Sequence, residues 1–163
     1  MQDQKLISDY LRKCFVSVDG LWFMKVEEDA DFEKALELDI EVWKVLPKIE
    51  ARIIQELLGI EKGMQALRQA LEFKLSAEDS RFELSPLSRD GFTLEVLDCS
   101  WVAHIRKANR EQFLERISES ICSLEFGMFA SEFGSDISVE HDRSSCCSEG
   151  GCCFHFQKTG RLS

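Results

Sequence analysis

Six of the seven cysteines lie between residues 99 and 153, and their grouping is the part of this sequence best suited to chemistry. Cys99 and Cys122 stand alone, while the other four form the doublets Cys146-Cys147 and Cys152-Cys153. Thiolates are ligands that zinc and iron–sulfur clusters prefer, and each takes about four of them. We therefore predict a zinc or iron–sulfur site whose ligands are Cys99, Cys122, Cys147 and Cys152.

The doublets leave the choice of ligands open, because Cys146 could replace Cys147 and Cys153 could replace Cys152. Two other interpretations stay open as well: redox-active neighbouring thiols, or packing without chemistry. Glu125, one helical turn beyond Cys122, could complete or tune a site. The seventh cysteine, Cys14, lies on an apolar helical stripe and is predicted to be a small buried side chain.

A second candidate region lies among the acids of the N-terminal part. Glu27 and Asp39 accompany an apolar face that contains Trp43. A carboxylate that is partly buried beside tryptophan has a raised pKa and can act as an acid or a base. The alternative is a solvated acidic face whose aromatic residues are simply core, with Arg52 neutralising one of the carboxylates.

Residues 1–75, which carry these acids, are predicted to form helices, because apolar residues return every three or four positions there. Asp19-Gly20 should interrupt the first helix, and Asp31 should cap the second. Pro47 should kink or break the helical path. Gly59 should end the third helix, and a last amphipathic helix should follow it to residue 75.

The hydrophobic period changes after residue 76, which indicates strands. Alternation over residues 81–84 and 92–97 predicts one hairpin, and alternation over 137–141 and 153–157 predicts another. A long helix is expected between them, over residues 109–130. The order predicts an α+β fold, with N-terminal helices followed by an antiparallel sheet of two hairpins, in a single domain over residues 1–163.

Composition excludes some classes of protein and leaves others open. The formal charge is -10, and residues 27–41 carry eight acids against one base, so nucleic acid is not an expected partner. No apolar run approaches the length of about 20 residues that spans a bilayer, so we expect a cytoplasmic protein with no membrane partner. In that reducing compartment an odd number of cysteines favours metal ligation over disulfides. A small-molecule partner and a homodimer are both left open.

Several segments of the sequence are similar to an uncharacterised bacterial and archaeal family. That family is related to the L-2-amino-thiazoline-4-carboxylic acid hydrolase-like proteins. The segments are Val18-Asp19-Gly20-Leu21-Trp22-Phe23, Glu27-Glu28, Ala35–Asp39, Val42-Trp43, Ala51-Arg52, Cys99-Ser100-Trp101, the helix with Cys122 and Glu125, and Cys152–Phe156. The last of them also resembles, more loosely, the closing strand of 4-vinyl reductase-like small-molecule-binding domains.

The resemblance implies roles for particular residues. It places Cys99, Cys122, one of Cys146 or Cys147, and Cys152 at positions that match the family. It also marks Glu27, Asp39, Trp43 and Arg52 as helical positions of interest. A hydrolase of this kind would open a small cyclic amino-acid-like substrate of the 2-aminothiazoline-4-carboxylate type. Asp39 or Glu27 would be its acid or base, Arg52 would hold the substrate carboxylate, and the thiolates would supply a metal or a nucleophile.

Three functions follow as expectations. The first is a cytoplasmic metal-binding or iron–sulfur protein, either a binding module or an accessory to redox metabolism. The second is the hydrolase implied by the resemblance. The third is a small-ligand-sensing domain with a cavity between its helices and its sheet.

Overall fold

The computed structural model describes residues 3–142 and 151–159. Their contacts divide the chain after Val42 into two compact units. The first is helical, and the second combines helices with a sheet. Within the described residues, none of the helices is both long enough and apolar enough to cross a membrane.

The first unit consists of a long helix and most of a shorter one. Helix α1 spans Gln4–Asp29 and helix α2 spans Phe32–Trp43. The predicted interruption at Asp19-Gly20 is wrong, because α1 continues through both residues. A glycine inside a helix costs only about 1 kcal/mol relative to alanine, which a long helix tolerates. The predicted cap is confirmed, since Asp31 Oδ1 accepts a hydrogen bond from the amide of Lys34 at 2.8 Å.

The side chains of α1 lie largely at the surface. None of its residues is buried, and Cys14 is half-buried rather than buried as predicted. Phe23 contacts Phe32 of α2, with 5.6 Å between the ring centroids. Several large apolar side chains are exposed: Leu6, Tyr10, Leu11, Phe15, Val18, Leu21 and Trp22. This helix therefore reverses the usual pattern, in which an amphipathic helix buries its apolar face.

Two predicted helix signals in the second unit are confirmed. Pro47 lies in the first turn of the first helix here, where a missing amide is tolerated, so the predicted break falls just before it. Gly59 follows the last turn in a left-handed conformation, with φ of +62°. The helices of this unit are α3 (Leu46–Leu58), α4 (Met64–Ala77), α5 (Ser100–Lys107) and α6 (Leu114–Ser131).

Two details of these helices differ from the sequence prediction. Helix α5 was not predicted, because eight residues contain too few turns for a periodic pattern to stand out. The helix expected over residues 109–130 begins only at Leu114, after a 3-10 turn over Glu111–Phe113.

The second unit contains a four-stranded antiparallel sheet in its described residues. Its strands are β1 (Arg81–Leu84), β2 (Gly91–Asp98), β3 (Ile137–Asp142) and β4 (Cys152–Lys158), in the order β1-β2-β4-β3. Both predicted hairpins are confirmed, because β1 pairs with β2 and β3 pairs with β4. The predicted α+β fold, with its N-terminal helices, is therefore correct.

The core of this unit lies between one face of the sheet and helices α3, α4 and α6. Phe154 and Phe156 of β4 are buried in it. Phe126 of α6 lies against Phe154 with 4.3 Å between the ring centroids, and Phe92 of β2 stacks on Phe156 at 4.9 Å. Successive residues of a strand point to opposite faces, so the even-numbered residues of β4 belong to the core face.

Candidate functional site

A lysine is buried in the core of the second unit, surrounded by three carboxylates. The side chain of Lys74 on α4 is 3% exposed. Its ammonium Nζ lies 2.9 Å from Glu50 Oε2 and 3.1 Å from Glu125 Oε1, and it also donates a hydrogen bond to Glu78. An ammonium group has three N–H donors, so three carboxylates match its capacity. We call these four residues the Lys74 cluster.

Three helices bring the Lys74 cluster together. Lys74 follows Leu71 on the core face of α4, and Glu78 stands one turn further along, just after that helix ends. Glu50 comes from α3 and Glu125 from α6, both of which pack on the same core. Helix packing therefore places charges in the interior, where they are stable only when paired.

The Lys74 cluster holds more negative than positive charge. Burial opposes the charge of Lys74, but Glu125, Glu78 and Glu50 together hold its pKa well above the usual value. Burial also raises the pKa of Glu125 to about 7, against the opposing effect of Lys74. The pKa of Glu78 is raised for the same reason. One carboxylate of the cluster therefore titrates near neutral pH.

Cys99 lies next to this cluster. It follows β2 and precedes α5, and its side chain packs against the core. Burial is the largest of the effects that together raise the pKa of its thiol to about 11; the amides of Val102 and Trp101 lower that pKa, while Glu125 and Glu78 raise it. Without a bound cation the thiol is thus protonated at neutral pH.

The other two described cysteines of the predicted site also pack against this core. Cys122 lies on α6, one turn before Glu125. Cys152 begins β4 and pairs with Val96, three residues before Cys99 on the adjacent strand. The predicted ligand Cys147 and its alternative Cys146 lie outside the described residues.

Alternation along β4 separates the two members of the second doublet. Cys152 shares the core face with Phe154 and Phe156, whereas Cys153 lies on the opposite face with His155. Cys153 Sγ lies 3.7 Å from His155 Nε2, and the Nδ1 atom of that histidine is 3.1 Å from Thr93 Oγ1. The doublet therefore contains one thiol on each face of the sheet.

The described residues alone do not form a ready-made metal site. Among residues 3–142 and 151–159, no group of three or more His, Cys, Asp or Glu side chains is arranged to hold a metal ion. In the Lys74 cluster, the place that a cation would take among the carboxylates is taken by the ammonium.

The residues predicted for catalysis lie elsewhere. Glu27 on α1 and Asp39 on α2 are both half-buried and belong to the first unit. Arg52 on α3 belongs to the second unit, where its Nε and Nη2 atoms lie 2.8 and 3.0 Å from the two carboxylate oxygens of Glu132. Arg52 therefore pairs with Glu132, which is not one of the N-terminal acids that the sequence interpretation had it neutralise.

The sequence prediction missed Lys74 and Glu78. A signal was present, because Lys74 interrupts an otherwise apolar helical stripe between Leu71 and Leu75. A lysine at such a position with a glutamate four residues later is an i,i+4 pair on the core face. What the pattern could not reveal was that Glu50 and Glu125 meet the same ammonium, since both come from distant parts of the chain.

A shallow groove lies at the surface of the second unit, between the end of α3 and α4. It has a volume of about 430 Å³. The residues that line it are Leu58, Ile60, Gln69, Glu72, Phe73 and Ser76. This is a helix–helix groove, and the sensing domain with a cavity between helices and sheet stays a prediction.

The chain is similar to a known protein family over most of its length. Residues 2–150 match the model of the Family of unknown function (DUF6125). No curated protein and no solved structure matches the chain.

Proposed function

We propose that this chain, which belongs to the DUF6125 family of unknown function, is a metal-binding protein whose site is built from cysteines at one end of its sheet. The described ligands would be Cys99, Cys122 and Cys152. Cys147 would be the fourth, and it stays a prediction from the sequence. Zinc and an iron–sulfur cluster both suit such a set of thiolates.

The observation that carries this proposal is that three separate segments each place a cysteine against the same core, although these three thiols are not themselves arranged to hold a metal ion. Cys99 follows β2, Cys152 begins the adjacent β4, and Cys122 lies on the helix that packs over them. Residues 143–150, which contain Cys146 and Cys147, connect the end of β3 to the start of β4. Because β3 and β4 are antiparallel partners, Asp142 at the end of β3 lies opposite Cys153, the second residue of β4.

Strand alternation supports Cys152 over Cys153 as a ligand. Cys152 lies on the same face of the sheet as the core that Cys99 and Cys122 contact, whereas Cys153 lies on the other face beside His155. A tetrahedral ion cannot take ligands from both faces of one strand without breaking its pairing.

The neighbouring charge also favours a cation. Three carboxylates surround a single ammonium beside Cys99, and two of them, Glu125 and Glu78, raise the pKa of its thiol. A metal ion that replaces the thiol proton would add positive charge where negative charge is in excess. Metal binding here should therefore release protons and strengthen as the pH rises.

Elemental analysis of the full chain, purified without air in zinc- and iron-replete medium, tests the proposal. We expect about one equivalent of zinc, or the iron of one cluster, because a four-thiolate site holds metal tightly. An ultraviolet-visible spectrum then separates the two, since a cluster is coloured and zinc is not. Less than about half an equivalent of either metal would refute the proposal.

Single substitutions to serine identify the ligands. Cys99→Ser, Cys122→Ser, Cys152→Ser and Cys147→Ser should each lose most of the metal. Cys153→Ser and Cys14→Ser are matched controls that should keep it. Metal retained in Cys152→Ser and lost in Cys153→Ser would contradict the assignment from alternation.

A second candidate is hydrolysis of a small cyclic amino-acid-like substrate, which rests on the resemblance of several segments to L-2-amino-thiazoline-4-carboxylic acid hydrolase-like proteins. The observation that favours it is Glu125, a buried carboxylate with a pKa of about 7, which suits an acid–base catalyst at neutral pH. Asp39 and Glu27 are the acid–base residues that the sequence predicted, and both lie in the first unit. Arg52 would have to exchange Glu132 for the substrate carboxylate.

Ring opening of 2-aminothiazoline-4-carboxylate by metal-loaded protein is the direct assay. The general acid–base step contributes about 100-fold or more, so replacing the residue that performs it should lower kcat by that factor. The substitutions to compare are Glu125→Gln, Asp39→Asn and Glu27→Gln. Glu119→Gln, on the exposed face of α6, is the control that should leave the rate unchanged. No turnover by the wild-type protein would refute this candidate and leave the metal-binding proposal intact.

A further inference from the structure

One face of α1 carries apolar residues that are arranged symmetrically about Cys14. Three pairs lie at equal distances from it, Leu6 with Trp22, Ile7 with Leu21, and Tyr10 with Val18, while the pair at offset three is Leu11 with Ser17. A helix turns by about 100° per residue, so offsets of four, seven and eight residues fall within about 80° of the central residue. We call this set the α1 stripe.

Most of the α1 stripe is exposed, whereas Ile7 and the central Cys14 are half-buried. Trp22 is 69% exposed, Leu6 and Tyr10 are about as exposed, and α1 contains no buried residue. With their neighbours Leu11 and Phe15, the exposed apolar side chains of α1 offer on the order of 800 Å², which is about what each partner contributes to a standard protein interface. A continuous apolar surface of this size indicates an interaction site.

The symmetry of the stripe indicates the partner. When two identical helices pair antiparallel about a twofold axis, a residue at a given offset before the axis faces the residue at the same offset after it. With the axis beside Cys14, Leu6 meets Trp22 of the second copy and Tyr10 meets Val18. A different partner would not require the two halves of the stripe to match. We propose that α1 pairs with α1 of a second copy of this chain, antiparallel, with the twofold axis beside Cys14.

The charges of α1 fit the same arrangement. Residues 5–13 carry three bases and one acid, whereas residues 19–29 carry four acids and one base. Antiparallel pairing sets the basic half of one helix against the acidic half of the other. Asp3 and Lys25 lie eleven residues on either side of Cys14, so they face each other at both ends of the pair. A parallel pair would place like charges together, and the acidic half would repel an anionic membrane surface.

Sedimentation of the full chain over a range of concentrations tests the association. We expect a dimer at about 50 µM, and we expect Val18→Glu to weaken it at least about 100-fold, because each copy would bury an unpaired charge near the axis. Val42→Glu is the matched control, since Val42 on α2 is 51% exposed and Val18 is 57% exposed. Circular dichroism should show that both variants keep the helical content of the wild-type protein.

Some results would overturn the proposal. A wild-type chain that is monomeric at 50 µM would refute it, whether or not the chain then binds anionic vesicles. A dimer that survives Val18→Glu would also refute it. So would a dimer that dissociates equally with Val45→Glu, which alters an exposed valine just before α3.

Cross-linking distinguishes the antiparallel pair from a parallel one. A short bis-maleimide should join the Cys14 peptides of two copies. In the Cys14→Ser background, the thiol introduced by Trp22→Cys should not cross-link to the same thiol of the second copy, because the two would lie about 24 Å apart. A mixture of that variant with Leu6→Cys in the same background should join the two different peptides. Peptide mapping by mass spectrometry reads the pairs, and efficient joining of Trp22→Cys to itself would overturn the orientation.

Discussion

The two units of this chain place their side chains in opposite ways. In the first unit, α1 buries none of its residues and leaves a stripe of large apolar side chains exposed. In the second unit, the core contains Lys74 and Glu125, with Glu50 and Glu78 close by. Proteins normally bury apolar groups and expose charges, so each unit departs from that rule in its own direction.

The two departures have different physical consequences. An exposed apolar stripe costs the folded monomer little, and it is stabilised when another surface covers it. A buried charge is expensive unless its partners remain in place. We therefore expect substitutions in the Lys74 cluster to change the stability of the monomer, and substitutions in the α1 stripe to change association.

The sharpest test of this contrast removes the lysine. Lys74→Met keeps the length of the side chain but leaves three carboxylates facing each other without a cation. Breaking a buried ion pair costs about 3–5 kcal/mol, so the free energy of unfolding should fall by that amount. Urea unfolding at pH 7, followed by circular dichroism, measures it.

An exposed ion pair in the first unit is the matched control. Lys34 Nζ lies 3.0 Å from Glu37 on α2, and both side chains are about half exposed. Lys34→Met should change the free energy of unfolding by less than about 1 kcal/mol. Equal effects of the two substitutions would show that burial does not distinguish these lysines, and the contrast would be lost.

Glu125 makes the stability of the folded protein depend on pH. Its folded-state pKa of about 7 lies above the usual value of 4.5, so the folded protein favours the protonated form. The wild-type protein should therefore lose stability as the pH rises from about 4.5 to 7, and the loss should level off above that. Glu125→Gln mimics the protonated carboxyl and should escape this loss.

The advantage of Glu125→Gln over the wild-type protein should be smallest near pH 4 and should reach up to about 3 kcal/mol at pH 8. Urea unfolding at several pH values measures the difference. Glu119→Gln, at an exposed position on the same helix, should show no such growth with pH. A difference that is constant from pH 4 to 8 would contradict the raised pKa of Glu125.

The sequence predicted most of the fold because the fold depends on local patterns. Asp31 and Gly59 act through their own backbone neighbours, and both were identified correctly. The two hairpins followed from strict alternation of apolar and polar residues. Helix α5 was missed because its signal is short, and Gly20 was overrated because one glycine rarely stops a long helix.

The candidate site was less predictable because it depends on distant residues. Cys99 and Cys152 are related through the pairing of β2 with β4, which joins the two predicted hairpins but was not itself predicted. The Lys74 cluster joins residues from three helices, and no spacing rule connects Glu50 to Glu125. Packing decides such a meeting, so only the lysine on an apolar stripe was visible in the sequence.

The smallest expected effect concerns Gly20, which lies within α1 but away from the α1 stripe. An added Cβ there meets nothing within 4 Å, and the backbone is helical. Gly20→Ala should therefore stabilise the folded chain by about 0.5–1 kcal/mol, because alanine loses less entropy in a helix than glycine. Gly59→Ala is the matched control and should destabilise by about 1 kcal/mol, since its φ of +62° strains any residue with a Cβ. If thermal unfolding showed no gain for Gly20→Ala, α1 would not be continuous at this point, and the symmetry of its stripe about Cys14 would not hold.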